Sequence, residues 1–118
     1  MGKNNTHYNI TAIIKDKKGN VLSIGKNSYY KTHPAMLLYA RKIGRFNSMK
    51  WYLHAEVEAI IKCSDLDEAH SIEVYGRAPG GSYCLAKPCK ICMSAIKSTN
   101  IKKIYYTTKS KQLELIEL

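Results

Sequence analysis

Apolar residues recur along the chain at two periods, and the places where the period changes mark its elements. Residues 8–15 (YNITAIIK) are rich in β-formers, 16–20 (DKKGN) carry turn chemistry, and 21–25 (VLSIG) form a second short β-rich run. Together they predict a hairpin. Residues 26–33 predict a loop. Pro34 then suits a first helical turn, Met36, Leu37, Tyr39, Ala40 and Ile43 recur at helical spacing, and Gly44 can end the helix. Residues 45–53 lead to a second predicted helix over 54–63, with Ala55, Ala59, Ile60 and Cys63 toward a core. Residues 71–76 (SIEVYG) alternate as a strand, and 77–87 (RAPGGSYCLAK) form a long glycine-bearing loop of the kind that carries function. Pro88 opens a third predicted helix over 88–98 with Ile91, Ala95 and Ile96 as its apolar stripe. Residues 101–108 and 112–118 read as strands separated only by Lys109, Ser110 and Lys111. So short a connection demands an antiparallel pair, because a parallel one needs a crossover of about a dozen residues. The order β-β-α-α-β-α-β-β predicts an α/β fold, a mixed five-stranded sheet flanked by helices in a three-layer-like arrangement.

At 118 residues the chain suits one domain, 1–118. No apolar run approaches the ~20 residues of a membrane helix. The polar start, MGKNNTHYN, lacks the apolar stretch of a signal peptide. Thr6 completes a short myristoylation pattern, but that pattern arises often by chance. A cytoplasmic location is the expectation, and there clustered cysteines point to metal or catalysis rather than to disulfides. Nineteen Lys and Arg against nine Asp and Glu leave a net charge of +10, which attracts phosphate on a nucleotide or a nucleic acid. A solvated basic surface is the equally ordinary alternative.

The chemistry concentrates in two short stretches, HAE at 54–56 and PCKIC at 88–92. His54 falls at the start of one predicted helix, and Cys89 and Cys92 fall in the first turn of another. Residues three apart share a helical face, so both sulfurs can reach one ion. Zinc suits imidazole with thiolate, and three protein ligands leave a fourth position for water. Helix N-termini favour thiolate over thiol. Glu56, two residues beyond His54, reads as a proton shuttle rather than a ligand, since zinc brings the pKa of a bound water to about 7 and a neighbouring carboxylate can move its proton. Taken alone, Cys-x-x-Cys can be a redox pair. A structural zinc site needs a fourth ligand, which Cys84 can in principle supply. Cys63 reads as a core thiol, His7, His33 and His70 as surface or loop residues, and Glu58 as either a supporting or a solvated carboxylate.

His-x-Glu followed by Pro-Cys-x-x-Cys resembles the signature of zinc nucleobase deaminases, and the chain resembles the cytidine deaminase-like superfamily over most of its length. The resemblance implies one zinc ion per chain held by His54, Cys89 and Cys92, with Glu56 as general acid and base. It implies that Asn27, in the GKN after the second strand, contacts the sugar, and that the backbone of Ala55 meets the base edge. It also implies a homo-oligomer. Two features depart from the pattern. Many relatives carry a hydroxyl residue just before Pro-Cys, where Ala86-Lys87 stands here, so Lys87 either meets a substrate phosphate or is simply exposed. An antiparallel last pair is similar to the free-cytidine enzymes, whereas the deoxycytidylate and polynucleotide branches insert a helix there. Yet His54 as first ligand is similar to those latter branches. The leading expectation is hydrolytic deamination of cytosine in a small nucleoside or nucleotide (cytidine, deoxycytidine or dCMP). The alternatives are a deaminase of C or A in single-stranded nucleic acid, supported by charge and by Tyr29, Tyr30, Trp51, Tyr52 and Tyr83 as stacking surfaces, and a zinc-bearing nucleic-acid-binding module without turnover.

Overall fold

The computed structural model describes residues 7–42, 44 and 52–118, so Thr6, Ile43, Trp51 and most of the connection over 45–53 lie outside the described residues. The elements run β1 (Asn9–Asp16), β2 (Val21–Lys26), α1 (Pro34–Lys42), α2 (Ala55–Lys62), a 3₁₀ turn (Leu66–Glu68), β3 (Ala69–Arg77), α3 (Lys90–Lys97), β4 (Lys103–Thr107) and β5 (Leu113–Glu117). The β1–β2 turn is built by Asp16, whose carboxylate accepts the N–H groups of Lys18 at 2.9 Å and Asn20 at 2.8 Å. Gly19 supplies the positive φ of 91° that closes it.

The five strands lie in the order β2-β1-β3-β4-β5. β1 is antiparallel to both β2 and β3, β3 and β4 are parallel, and β4 and β5 are antiparallel, as the three-residue connection requires. The register places Ala12 and Ile14 of β1 beside Val74 and Ile72 of β3, and Ile72 beside Ile104 of β4. These five side chains are fully buried, and one cluster joins them to Met36 and Ala40 of α1, Val57 and Ala59 of α2, and Ile91, Ala95 and Ile96 of α3. α2 packs on β1 and β2, α3 beside α2, and α1 against α3. Over the described residues the helices therefore gather on the Ala12/Ile72 face of the sheet.

Gly25 and Ser23 set how closely α2 approaches β2. A Cβ on Gly25 would overlap the Ala55 carbonyl oxygen and the Ala59 backbone, and the Ser23 hydroxyl donates to the Ala59 carbonyl at 2.6 Å.

Two helix starts differ from expectation. α2 begins at Ala55 with His54 as its N-cap. α3 begins at Lys90 with Cys89 as its N-cap, so Pro88 does not open it and Cys89 lies just before the first turn. Cys89 is extended (φ −70°, ψ 172°), as an N-cap must be, and its carbonyl accepts the Met93 N–H at 2.8 Å. His33 is an exposed loop residue, as expected, and it also caps α1: its Nδ1 accepts the Ala35 N–H at 3.0 Å.

Candidate functional site

The N-termini of α2 and α3 meet. His54 Nδ1 lies 3.3 Å from Cys92 Sγ and 3.6 Å from Cys89 Sγ, and a ligand atom from each of the three residues lies within 4.8 Å of the others. N-cap and third-residue side chains converge over a helix start, which is why Cys89 and Cys92 bring both sulfurs to one point. Two bonds of zinc length, one to sulfur and one to nitrogen, at a tetrahedral angle would hold those atoms about 3.5 Å apart. The observed separations match that value, and the donor set of two thiols and one imidazole is zinc's. Cys84 is not among these residues. It is buried, and its sulfur would contact a Cβ on Gly76.

The electrostatics favour a metal. A hydrogen bond from Cys92 holds the Cys89 thiol down at about 4, with His54 helping. The same bond, together with burial, pushes the Cys92 thiol well up, so the two sulfurs share a proton that a cation would displace. The hydrogen bond to Cys89 likewise pushes the His54 imidazole up.

Glu56 is 5% exposed, and burial pushes its carboxyl up. It nevertheless lines a cavity of about 420 Å³ that His54 and Cys89 also line, a volume within the usual range for small-molecule sites. Ala55, Asn27 and Lys87 line the same cavity, so all the residues expected at the site except the buried Cys92 face one space. Asn27 is largely committed to the backbone. Its Oδ1 accepts the Ile10 N–H at 2.9 Å and its Nδ2 donates to the Tyr8 carbonyl at 3.0 Å, which leaves one amide N–H. Of the expected aromatics, Tyr29 and Tyr52 line the cavity, whereas Tyr30 and Tyr83 do not. Tyr29 is stacked on His7 with ring centroids 4.1 Å apart, and Tyr83 lies under the Arg77 guanidinium.

Three supporting residues escaped the sequence reading or were left open by it. Glu58 accepts the backbone N–H of Lys26 at 2.7 Å, which ties α2 to the strand end that leads into Asn27. Ser28 accepts the Tyr30 and Lys31 N–H groups on its hydroxyl and donates its own N–H to the Leu53 carbonyl, clamping the 27–31 loop to the segment entering His54. Thr107, 1% exposed, accepts the Gly76 N–H and donates to the Cys84 carbonyl, both at 2.9 Å. Its own carbonyl takes the Ala86 N–H. Thr107 therefore anchors the wall formed by Leu85, Ala86 and Lys87. All of these bonds except the local Ser28 turn join residues distant in sequence, and no local pattern announces them.

The described residues contain no helix long and apolar enough to cross a membrane. The model of the cytidine and deoxycytidylate deaminase zinc-binding region matches residues 1–108. No curated protein matches the chain. The match and the His54, Cys89 and Cys92 cluster together support one zinc ion per chain and a zinc-dependent deaminase. A match over residues 1–108, which contain His54, Cys89, Cys92 and the wall that Thr107 anchors, means that the chain belongs to the cytidine and deoxycytidylate deaminase family.

Proposed function

We propose that the site hydrolytically deaminates the cytosine base of a nucleoside or nucleotide (cytidine, deoxycytidine or dCMP) to the uracil form and releases ammonia. The observation that carries the reading is Glu56, a buried carboxyl group opening into the same cavity as His54 and Cys89. Burying a carboxylate is costly unless it is paired or hydrogen-bonded, and Glu56 is held by a hydrogen bond with the Cys92 side chain. Zinc held by His54, Cys89 and Cys92 would supply Lewis-acid activation of water. Glu56 takes a proton from the attacking water and delivers it to the ring nitrogen N3. Once the C4–oxygen bond has formed, Glu56 takes the second proton from the new C4 hydroxyl and hands it to the amine as the C4–amine bond breaks, which leaves the C4 carbonyl and ammonia. A carboxyl raised by burial is suited to both accepting and returning a proton. The backbone at Ala55 meets the base edge, the remaining N–H of Asn27 meets the sugar, and Lys87 meets a phosphate where one is present. A reducing, cytoplasmic setting suits two thiol ligands, and a homo-oligomer would help close the open side of the cavity.

A second reading, deamination of C or A in single-stranded nucleic acid, is favoured by Tyr29 and Tyr52, which line the cavity and remain exposed. A non-catalytic zinc module leaves the buried Glu56 unexplained. The test is ammonia release from cytidine, dCMP and a cytosine-bearing oligonucleotide, with the wild type and Glu56→Gln. General acid–base catalysis contributes about 10²–10⁴-fold, so the variant should lose at least that much turnover while keeping its zinc. Loss of metal in Glu56→Gln would make Glu56 a ligand and overturn the assignment.

A further inference from the structure

A second cavity, of about 550 Å³, adjoins the first along the exposed side of α3 and is lined by Lys87, Pro88, Lys90, Met93, Ser94 and Lys97. Lys87 lines both cavities. Lys90, Met93, Ser94 and Lys97 follow helical spacing, so they form one face, while Ile91, Cys92, Ala95 and Ile96 bury the opposite face in the core. From Lys90 to Lys97 the axis advances about 10 Å at 1.5 Å per residue. The groove is long relative to a single phosphate and begins where the catalytic cavity ends.

Its charge has one sign. No Asp or Glu occurs in residues 74–113, a stretch that holds Arg77 and seven lysines. The one ion pair among the described residues, Lys15 with Glu73 at 2.9 Å, lies on the sheet. Lys87, Lys90 and Lys97 thus have no carboxylate partner among the described residues. A free nucleotide whose phosphate met Lys87 would leave Lys97, about 10 Å beyond Lys90 along the helix, without a phosphate. A strand continues. Cationic grooves that track a backbone, with aromatic rings beside them for stacking, are how single strands are held, and exposed Tyr29 and Tyr52 stand at the first cavity.

We infer that the groove along α3 holds the phosphates of a single-stranded nucleic acid whose cytosine occupies the zinc cavity, which extends the substrate from a nucleotide to a strand. The inference rests on the deaminase reading only for what the base meets; the phosphate track stands on its own geometry.

The experiment measures binding by fluorescence anisotropy of a labelled short oligodeoxycytidylate, with unlabelled dCMP as competitor, over a series of salt concentrations. Three proteins are compared: wild type, Lys90→Ala/Lys97→Ala, and Lys17→Ala/Lys18→Ala in the exposed β1–β2 turn, which loses the same charge elsewhere. Each lysine that neutralises a phosphate of a single strand contributes about 0.7 to the slope of log affinity against log salt. The groove variant should lose about that much slope per lysine, and the turn variant should keep the wild-type slope. Equal losses in the two variants would reduce the effect to net charge and overturn the inference. So would dCMP competing as well as the strand, or a strand affinity indifferent to Lys90 and Lys97. Strand binding that depends on the groove without ammonia release would instead overturn the deaminase reading and leave the track standing.

Discussion

Gly25→Ala is a single-methyl perturbation with a large expected effect. Gly25 pairs with Ala12 in the β1–β2 ladder and lies directly beneath α2. Its φ is not positive, so an alanine meets no conformational strain, and the whole cost is steric. The added Cβ would overlap the Ala55 carbonyl oxygen and the Ala59 N, and lie 2.9 Å from Ala59 Cα. These are backbone atoms that no rotamer change can clear, so α2 must lift by about 1 Å, an overpacking that typically costs 1–3 kcal/mol. Lifting α2 also stretches the Ser23–Ala59 hydrogen bond, now 2.6 Å, which adds about 1 kcal/mol. A total of roughly 3 kcal/mol is a large fraction of the ~5–15 kcal/mol that holds a domain together. With unfolding entropy of ~2.1 cal/mol/K per residue, it corresponds to a fall in Tm of about 12 °C for a chain of this length. Circular dichroism melts of zinc-loaded protein measure it directly. Turnover should fall more steeply than the folded fraction does, because the same movement displaces His54 and Glu56, and a misplacement of about 1 Å can cost ~10²-fold. A Tm within about 2 °C of the wild type would refute the reasoning, because α2 would then yield without cost.

Thr107→Val keeps the shape but leaves the Gly76 N–H and the Cys84 carbonyl without their shared hydroxyl, so thermal melts should show a loss of about 2–3 kcal/mol; a change under half that would mean water replaces the hydroxyl. Glu58→Ala removes the acceptor of the Lys26 N–H and should cost roughly 1 kcal/mol in the same assay, whereas Glu58→Gln, which keeps an acceptor oxygen, should lose less than half of that. Stripping zinc with a chelator should lower Tm, because the ion binds the folded site and not the unfolded chain. Zinc affinity, read by competition with a chromophoric chelator, should fall at least about tenfold per unit of pH on acidification, since the Cys92 proton must leave before the metal can bind; affinity independent of pH would mean that the thiols are not ligands.

The candidate site was legible in the sequence because it is local. His54 and Glu56 are two residues apart, Cys89 and Cys92 three, and each pair needs only a helix start to aim it. The strands were legible for the same reason, since an alternation such as SIEVYG shows which side of β3 is buried. The helix starts were not, because proline at a first helical position competes with a side chain that must project from the N-cap. At Pro88-Cys89 the second demand prevails, and the helix begins two residues later than the proline suggests. Least legible were Ser23 and Thr107, buried polar residues on strands, and Glu58, whose carboxylate reaches from α2 to the end of β2. Their partners lie 36, up to 31 and 32 positions away, and only the packed sheet and helices bring them together.

Two sequence features pointed to different branches of the family, His54 as first ligand and an antiparallel final strand. The structure separates their weight. The turn between β4 and β5 is closed locally, by the Thr108 N–H to the Gln112 carbonyl and by Lys111 at a φ of 70°, and β5 pairs with β4 alone at the sheet edge. No residue of β5 lines the cavity beside His54, which is drawn from β1, the 27–29 loop, residues 52–56 and the 85–89 segment. The family match also ends at residue 108, before β5 begins. A strand that does not line the cavity and falls outside the matched region says less about what the cavity binds than a residue that lines it. His54, by contrast, stands inside the cavity beside Glu56. Substrate choice is therefore to be sought where side chains line the cavity: at Asn27 with its one remaining N–H, at exposed Tyr29 and Tyr52, and at Lys87, which lines both cavities.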